Sequence, residues 1–213
     1  MSGGIRAQPV PFIAFSGSIS SRTPTGNSTD ATLTAFRYEV GLKLLRPWVS
    51  GGLISADRGN GLAPIVYDTL LLPTSPGRIS GYTTAIRGPL FRGLGIDAWA
   101  VHWSSASRYQ PEWQSRSEIN YSNNFLKHFR RGDFEVKAAG VYEYRSATAF
   151  PFSDGDVPSL AAKTLSALLE IRIMRAVITY QQRNILGYQY DIVPGFEMPR
   201  VLAIYGVRWD FWN

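Results

Sequence analysis

Residues 133–146 read DFEVKAAGVYEYRS, and the character of their side chains alternates from one position to the next. The more apolar set comprises Phe134, Val136, Ala138, Gly140, Tyr142 and Tyr144. The set that carries the charges comprises Glu135, Lys137, Ala139, Val141, Glu143 and Arg145. A period of two places successive side chains on opposite faces of an extended chain. The segment therefore predicts a β-strand with one apolar and one charged face.

The same alternation recurs along the chain. It predicts about ten strands, near residues 5–17, 31–45, 47–57, 79–89, 95–105, 113–126, 133–146, 163–172, 174–182 and 198–211. In the segment 95–105, Trp99, Val101 and Trp103 are assigned to the apolar face, and His102 and Ser104 to the polar face. Several of these strands reach the roughly 9–11 residues of a tilted membrane-spanning strand, whereas strands of soluble proteins average about 5–6.

The connections between these strands differ in length. Long connections rich in Ser, Gly, Asn, Asp and Pro alternate with short ones, which is typical of outer-membrane barrels. The long ones are residues 18–30, 58–78, 147–162 and 183–197, and the short ones lie near 46, 90–94, 127–132 and 173. We predict one all-β domain over residues 1–213, an antiparallel transmembrane β-barrel of about ten strands (roughly eight to twelve). An even strand number would place both the N- and the C-terminus on the periplasmic side.

The composition excludes several classes of site. The 213 residues contain no cysteine, which excludes disulfides, zinc-thiolate sites and iron–sulfur clusters. The formal net charge is +6, but the basic residues are dispersed, so we expect no nucleic-acid partner. Asp154-Gly-Asp156 lacks the further oxygen ligands of a calcium site. We therefore predict no metal site and no cofactor.

The segment Met1-Ser-Gly-Gly-Ile-Arg6 has no apolar core of a signal peptide. Given the strand pattern, we expect a chain from which an export signal has been removed. The expected location is the outer membrane of a Gram-negative-type bacterium, with the lipid bilayer as the main partner.

The polar face of the predicted strands supplies candidate residues for the barrel lumen. They are Arg37, Glu39, Lys43, Arg87, His102, Ser104, Arg116, Glu118, Asn120, Glu135, Lys137, Glu143, Arg145, Glu170, Arg172 and Arg208. Folding the hairpin 113–146 about its turn would bring Arg116 near Glu143. Two roles remain open for this set: a charge ladder that fills the lumen, and the lining of a selective water-filled pore.

Tryptophans near the predicted strand ends suit the aromatic girdles at the two membrane interfaces. These interface candidates are Trp48, Trp103, Trp113, Trp209 and Trp212.

Three C-terminal motifs resemble the final strands of TonB-dependent receptors. Residues 165–184 resemble that family's penultimate hairpin, residues 193–200 its Pro- and Gly-containing loop, and residues 205–211 its closing strand. The resemblance implies a barrel of about 22 strands around an N-terminal plug. The chain is expected to supply fewer than half of those strands, and it shows no recognisable plug or energy-coupling box. We therefore expect a structural, scaffold or passive-pore role, within a larger assembly or alone, and no active uptake.

The closing strand also resembles the signal that the barrel-assembly machinery recognises. Its alternating residues are Tyr205, Val207, Trp209 and Phe211, followed by two further residues. The resemblance implies that the outer-membrane assembly machinery is a partner.

Two other functions remain open. His102 and Ser104 have the His-x-Ser spacing of an outer-membrane phospholipase, and Asn120 could stand nearby, which suggests a barrel hydrolase. The alternation alone also fits a soluble all-β binding protein, because both kinds of sheet alternate.

Overall fold

The computed structural model of the protein describes residues 2–22, 33–58, 77–106, 109–126, 128–129, 133–152 and 154–209. Within these residues eleven strands form one antiparallel sheet, and two further strands form a separate hairpin. The sheet strands are β1 (Ser2–Val10), β2 (Ile13–Arg22), β3 (Leu33–Lys43), β4 (Trp48–Arg58), β5 (Gly77–Phe91), β6 (Leu94–Trp103), β7 (Trp113–Asn123), β8 (Phe134–Arg145), β11 (Ala162–Ile173), β12 (Ala176–Arg183) and β13 (Leu202–Trp209); the hairpin strands are β9 (Ala149–Phe152) and β10 (Gly155–Pro158).

The sheet follows the order of the chain, since each strand pairs with the next one along the sequence and β8 pairs with β11 across the β9–β10 hairpin. The prediction of an all-β, antiparallel architecture is confirmed. In the described residues β1 and β13 are the two edges of the sheet. No helix in that part of the chain is long and apolar enough to cross a membrane.

The N-terminal strand differs from the prediction. Residues 5–17 form no single strand, because the chain turns at Pro11 and Phe12 and β1 and β2 pair as a hairpin. Proline has no backbone N–H and a fixed φ, so it favours a turn over a central strand position. The carbonyl of Phe12 accepts a hydrogen bond from the N–H of Lys43 at 2.8 Å, which ties this turn to the end of β3.

The sheet has two different ends. The short-turn end comprises the connections 11–12, 44–47, 92–93, 124–133 and 174–175, and the long-connection end comprises 23–32, 59–76, 104–112, 146–161 and 184–201. The predicted alternation of long and short connections is present with one exception, since the connection 124–133 has ten residues and 104–112 has nine. The connection 146–161 also contains the β9–β10 hairpin, which the sequence pattern did not predict.

Because the number of strands is odd, the start of β1 and the end of β13 lie at opposite ends of the sheet. Ser2 begins β1 at the long-connection end, and Trp209 ends β13 at the short-turn end. The expectation that both termini lie on one side is therefore wrong for the described strands. Its cause is the unpredicted turn at Pro11, which adds one strand. Several predicted features lie outside the described residues, namely most of the connection 18–30, Phe211 and Trp212.

Few apolar side chains are buried in this part of the chain. Buried Ala14, Ile79 and Val177 lie in the sheet, while Phe150 and Val193 lie in the long connections. Phe150 and Val193 form a small cluster with Tyr109 and Phe152. The described sheet is thus a single layer without a second layer packed on it, unlike the two-layer core of a soluble domain.

The turn between β5 and β6 depends on a glycine. Gly93 has a φ of 77°, in the left-handed region that L-residues with a Cβ avoid. Its carbonyl accepts a hydrogen bond from the N–H of Ser122 at 2.8 Å, and a Cβ at this position would lie 2.7 Å from the carbonyl oxygen of Ser122. Backbone conformation and close packing therefore both require glycine.

Substituting Gly93→Ala is expected to lower the free energy of unfolding by about 1–2 kcal/mol, because the new Cβ strains the backbone and contacts Ser122. Gly140→Ala is the matched control, since a Cβ on Gly140 meets no atom within 4 Å. Urea unfolding of the lipid-reconstituted protein measures both variants. Equal stability of the two variants would contradict this account of the turn.

Candidate functional site: the charged face

Strand register divides the sheet into two faces of different chemistry. The charged face carries, from β1 to β13, the side chains of Arg6, Arg37, Glu39, Lys43, Arg87, Asp97, Arg116, Glu118, Asn120, Glu135, Lys137, Glu143, Arg145, Glu170, Arg172, Arg183 and Arg208. Directly opposed residues of neighbouring strands share a face, so this assignment follows from the pairing itself. All the lumen candidates except His102 and Ser104 are therefore on one face.

Arg116 is the centre of one group of ion pairs. Its Nη2 lies 2.7 Å from Oε2 of Glu118 on the same strand, and its Nε lies 3.4 Å from Oε1 of Glu143 on β8. The register pairs Arg116 directly with Glu143. The predicted proximity of these two residues is confirmed, because the hairpin closes in the register that the alternation requires.

A second group spans β8 and β11. Glu135 lies 3.0 Å from Nη2 of Arg172 and 3.7 Å from Nζ of Lys137, and Lys137 lies 3.7 Å from Glu170. Glu135 also accepts a hydrogen bond from the hydroxyl of Ser122 at 3.2 Å. The four charges alternate in sign across two strands, so each of them has an opposite charge beside it.

Two isolated pairs lie nearer to the N-terminal edge. Arg37 Nη2 lies 2.6 Å from Glu39 Oε1, and Arg87 Nε lies 3.0 Å from Asp97 Oδ1. Gly52 faces Glu39 across the β3–β4 pair, and a Cβ there would lie 2.8 Å from Cγ of Glu39. The glycine thus leaves the space that the Glu39 side chain occupies.

The opposite face, the apolar face, exposes large hydrophobic side chains on nearly every strand. They are Ile5, Phe15, Ile19, Tyr38, Val40, Leu42, Leu53, Tyr82, Trp113, Ile119, Tyr142, Leu169, Ile178, Tyr205, Val207 and Trp209. A continuous exposed apolar surface of this extent is unusual for a soluble monomer and typical of a surface that meets lipid.

The tryptophans divide between the two faces. Trp113 and Trp209 lie on the apolar face. Trp48 pairs with Lys43 and Arg87, and Trp103 has the parity of Asp97, so these two lie on the charged face. The prediction that Trp103 lies on the apolar face is therefore wrong, and Trp48 does not share the face of Trp113 and Trp209. Asp97 is the sequence signal that could have corrected it, because it is the only acidic residue of β6.

His102 and Ser104 are not on the charged face, so the prediction that they share a face with the charged candidates is wrong. His102 opposes Tyr82 and Trp113 in the sheet, and its ring lies 4.2 Å from the Trp113 ring and 6.1 Å from the Tyr82 ring, centroid to centroid. Ser104 follows the end of β6 and lines a shallow recess of the apolar face beside Tyr82 and Leu53.

The geometry does not bring together the residues suggested for a hydrolase. Asn120 lies on the charged face, whereas His102 lies on the apolar face. Nε2 of His102 lies 3.1 Å from Oε1 of Glu112, so this nitrogen already has a partner other than Ser104. The ring is held between aromatic neighbours as part of the apolar face.

Three of the four residues of the expected assembly signal lie on one face. Tyr205, Val207 and Trp209 are on the apolar face of β13, where the ring of Tyr205 contacts that of Tyr180 in a tilted arrangement, with 5.0 Å between the ring centroids. Phe211 lies outside the described residues. The recognition of this strand by an assembly machinery stays a prediction.

Arg145 joins the charged face to the long-connection end. Its Nη2 donates a hydrogen bond of 2.7 Å to the carbonyl of Asp191, in the connection between β12 and β13. Asn184 begins that connection and donates a hydrogen bond to the carbonyl of Tyr188 at 2.8 Å. These contacts hold residues 184–201 over the end of the sheet.

A polar cavity of about 420 Å³ lies beneath this connection. Its lining includes Arg116, Glu143, Thr164, Gln181, Arg183 and Tyr190. In the described part of the chain, no group of three or more His, Asp or Glu side chains is placed to hold a metal ion. Asp154 and Asp156 flank the start of β10 and are exposed.

Two solved structures share this fold over almost the whole chain. FpvA of P. aeruginosa, solved with iron-loaded heterologous pyoverdines, superposes with a TM-score of 0.64 at 14% identity over 99% of this chain and 32% of its own. The FrpB iron transporter of Neisseria meningitidis superposes with a TM-score of 0.62 at 13% identity over 99% of this chain and 38% of its own. The fold is that of the barrel portion of TonB-dependent receptors. The chain spans about a third of the length of these two receptors.

No protein-family model matches the chain, and none of the curated proteins matches it. The likeness to TonB-dependent receptors is therefore one of fold. It confirms the resemblance that the three C-terminal motifs suggested and extends it to the N-terminal half, where the sequence carries no such motif.

Three residues of the charged face were not predicted. Asp97 pairs with Arg87, while Arg6 and Arg183 lie on strands whose alternation is weak. Asp97 could have been found from the sequence, because Arg87 on the preceding strand is a possible cross-strand partner. The sequence gives no comparable signal for Arg6, because the first half of the β1–β2 hairpin has no clear alternation.

Replacing Glu135 by Gln is expected to lower the free energy of unfolding by about 1 kcal/mol, because Arg172 and Lys137 lose their shared carboxylate. Asp97→Asn is the control: its ion pair with Arg87 is isolated and more exposed, so we expect a loss less than about half as large. Urea unfolding in lipid vesicles, with Arg172→Met completing a double-mutant cycle, isolates the pair. A coupling energy of zero between Glu135 and Arg172 would contradict the network.

Proposed function

We propose that this chain forms part of the wall of an outer-membrane β-barrel of the TonB-dependent-receptor type, with a scaffold or passive-pore role. The observation that carries the proposal is the separation of the two faces: exposed apolar side chains on one, and a ladder of ion pairs on the other. In a membrane barrel the first face meets lipid and the second faces the lumen.

The exposed area argues against a soluble all-β protein. The chain exposes 14537 Å², whereas a compact soluble monomer of 23.7 kDa is expected to expose roughly 9,800 Å². Apolar surface left in water costs about 25 cal/mol per Å². Lipid contact on the apolar face removes that cost, since hydrocarbon solvates these side chains.

The connections orient the sheet in the membrane. Outer-membrane barrels have short turns on the periplasmic side and longer loops outside the cell. The short-turn end would therefore lie in the periplasm and the long-connection end at the cell surface. In this orientation the connection 184–201 and the cavity beneath it are at the outer mouth of the lumen.

The charged face carries a surplus of positive charge. Ten basic side chains and six acidic ones lie on it within the described strands: Arg6, Arg37, Lys43, Arg87, Arg116, Lys137, Arg145, Arg172, Arg183 and Arg208 against Glu39, Asp97, Glu118, Glu135, Glu143 and Glu170. Basic side chains lining a pore attract anions. A lumen bounded by this face would therefore favour anions over cations.

The likeness to the two iron-related receptors is one of fold, because the sequence identities are 13–14%. It supports a role in the barrel wall and does not indicate that this chain transports iron. The structural neighbours are transporters and not enzymes, which agrees with a non-enzymatic role.

Lipid contact can be tested at matched depth on the two faces. Trp113 begins β7 and Trp103 ends β6, so both lie at the long-connection end of adjacent strands but on opposite faces. We expect brominated phospholipids to quench a variant that retains only Trp113 at least about twice as strongly as one that retains only Trp103, because only the apolar face meets lipid. Fluorescence in vesicles measures this ratio.

Single-tryptophan variants with Trp209 and Trp48 repeat the comparison at the short-turn end, where they lie on the apolar and charged faces respectively. Equal quenching on the two faces, or no quenching at any position, would overturn the membrane-wall proposal.

Ion selectivity tests the passive-pore role. Across a planar bilayer with a KCl gradient, we expect a reversal potential that shows preference for chloride, and the double variant Arg6→Glu/Lys43→Glu should reduce or invert it. Arg46→Glu is the control, since Arg46 lies in the β3–β4 turn and not on the charged face. If the protein inserts but no ion current is measured, the passive-pore role is rejected and the scaffold role remains.

A further inference from the structure

The two edge strands lack a neighbour on one side. In the described residues β1 pairs with β2 alone and β13 with β12 alone. The side chains that expose the most surface among the strands of the apolar face lie on these edges: Ile5 is 80% exposed, Tyr205 76% and Val207 73%. Leu53, on an inner strand of the same face, is 58% exposed.

The charged face shows the same feature at β13. Leu202 and Ile204 have the parity of Arg208 and so lie on this face, where they are exposed. Apolar side chains also lie on the charged face of inner strands, as Trp48 and Trp103 do, but those of β13 lie at an edge beside which no described strand is paired.

An open edge is incompatible with the interior of a bilayer. The unpaired N–H and C=O groups of an edge strand have no water to bind there, so membrane-spanning sheets close into barrels. Eleven strands are half of the 22 found in large outer-membrane transporters. The described sheet matches about a third of two such receptors over 99% of its own length.

Strand parity limits what can close the sheet. Both β1 and β13 run from the long-connection end to the short-turn end. Pairing β13 with β1 of the same chain would make a parallel seam. Two copies related by rotation about the barrel axis would make two parallel seams, and a copy turned upside down would place its short turns on the wrong side of the membrane.

We propose that β1 and β13 pair with the two outer strands of a second amphipathic sheet, which has an odd number of strands and a sequence different from this chain. This inference rests on the proposed membrane-wall function. An odd number makes the total even, so that every pair in the barrel is antiparallel. Both outer strands of the partner sheet then run from the short-turn end to the long-connection end.

The partner sheet must match the two faces described above. Its outer strands carry apolar side chains beside Ile5 and Tyr205 on the lipid side. On the lumen side, the strand beside β13 covers Leu202 and Ile204 with apolar atoms. The chemistry of the partner is therefore that of another barrel wall, and not that of a soluble protein docked on the edge.

Cross-linking in the outer membrane of the bacterium that makes the protein tests the pairing. The chain contains no cysteine, so a single introduced cysteine can carry a benzophenone maleimide at one known position. The variants are Gly3→Cys and Ala7→Cys on β1, and Ala203→Cys and Val207→Cys on β13. Leu53→Cys is the control, since its cross-strand neighbours are Tyr38 and Tyr82 within the chain.

We expect all four edge positions to link to peptides whose sequence is absent from these 213 residues. Because the seams are antiparallel, the residue linked to Ala7→Cys precedes the one linked to Gly3→Cys in the partner sequence. Likewise the residue linked to Val207→Cys precedes the one linked to Ala203→Cys. Mass spectrometry of the linked peptides determines both orders.

Three results would overturn the inference: links between β1 and β13, partner residues in the opposite order, or lipid adducts alone at all four positions. Links from Leu53→Cys to β3 or β5 show that the variants are folded. Lipid adducts at Leu53→Cys distinguish the two proposals, because this position lies on the apolar face of the inner strand β4 and reports lipid contact in the same membrane. Lipid adducts at Leu53→Cys without edge links reject only the second sheet, and their absence rejects the membrane wall itself.

Discussion

The antiparallel register across β7, β8 and β11 is the constraint on which the rest of the sheet depends. It sets Arg116 opposite Glu143 and Lys137 opposite Glu170, so the charges of neighbouring strands meet with opposite sign. A shift of one residue in either pair would move every side chain of a strand to the other face. In the proposed membrane wall, charged groups would then face lipid, at a cost of roughly 2–4 kcal/mol for each Arg or Lys at the bilayer centre.

This constraint explains why a sheet with so small a buried core can be stable. In the proposed membrane wall, lipid solvates the apolar face, so the sheet needs no second layer. The charged face is stabilised by local ion pairs and by strand pairing. Backbone hydrogen bonds in the absence of competing water hold neighbouring strands together. The cluster of buried apolar residues around Phe150 and Val193 lies at the long-connection end, outside the sheet, where a hydrophobic core has its usual stabilising effect.

The long-connection end combines several elements into one structure. Tyr109 comes from the β6–β7 connection, Phe150 and Phe152 from the β9–β10 hairpin, and Val193 from the β12–β13 connection. Tyr109 donates its N–H to the carbonyl of Ala149 at 2.9 Å, and Arg145 binds the carbonyl of Asp191. These contacts join the connections to one another at the long-connection end of the charged face. The connections partly cover the cavity that Arg116 and Arg183 line.

The sequence by itself determined the strands with strong alternation, their antiparallel order and the contact between Arg116 and Glu143, because a period of two fixes which residues share a face and folding the hairpin about its turn sets them opposite each other. It did not determine the hairpin at Pro11, since a short polar and Pro-containing segment has no clear period. It misplaced Trp103, His102 and Ser104, because β6 carries aromatic or apolar residues at both parities and only one charge, that of Asp97. Pairing with Arg87 and Arg116 on the neighbouring strands shows which parity of β6 faces the charges. That decision belongs to the tertiary structure, as does the odd strand number that leaves β1 and β13 running in the same direction.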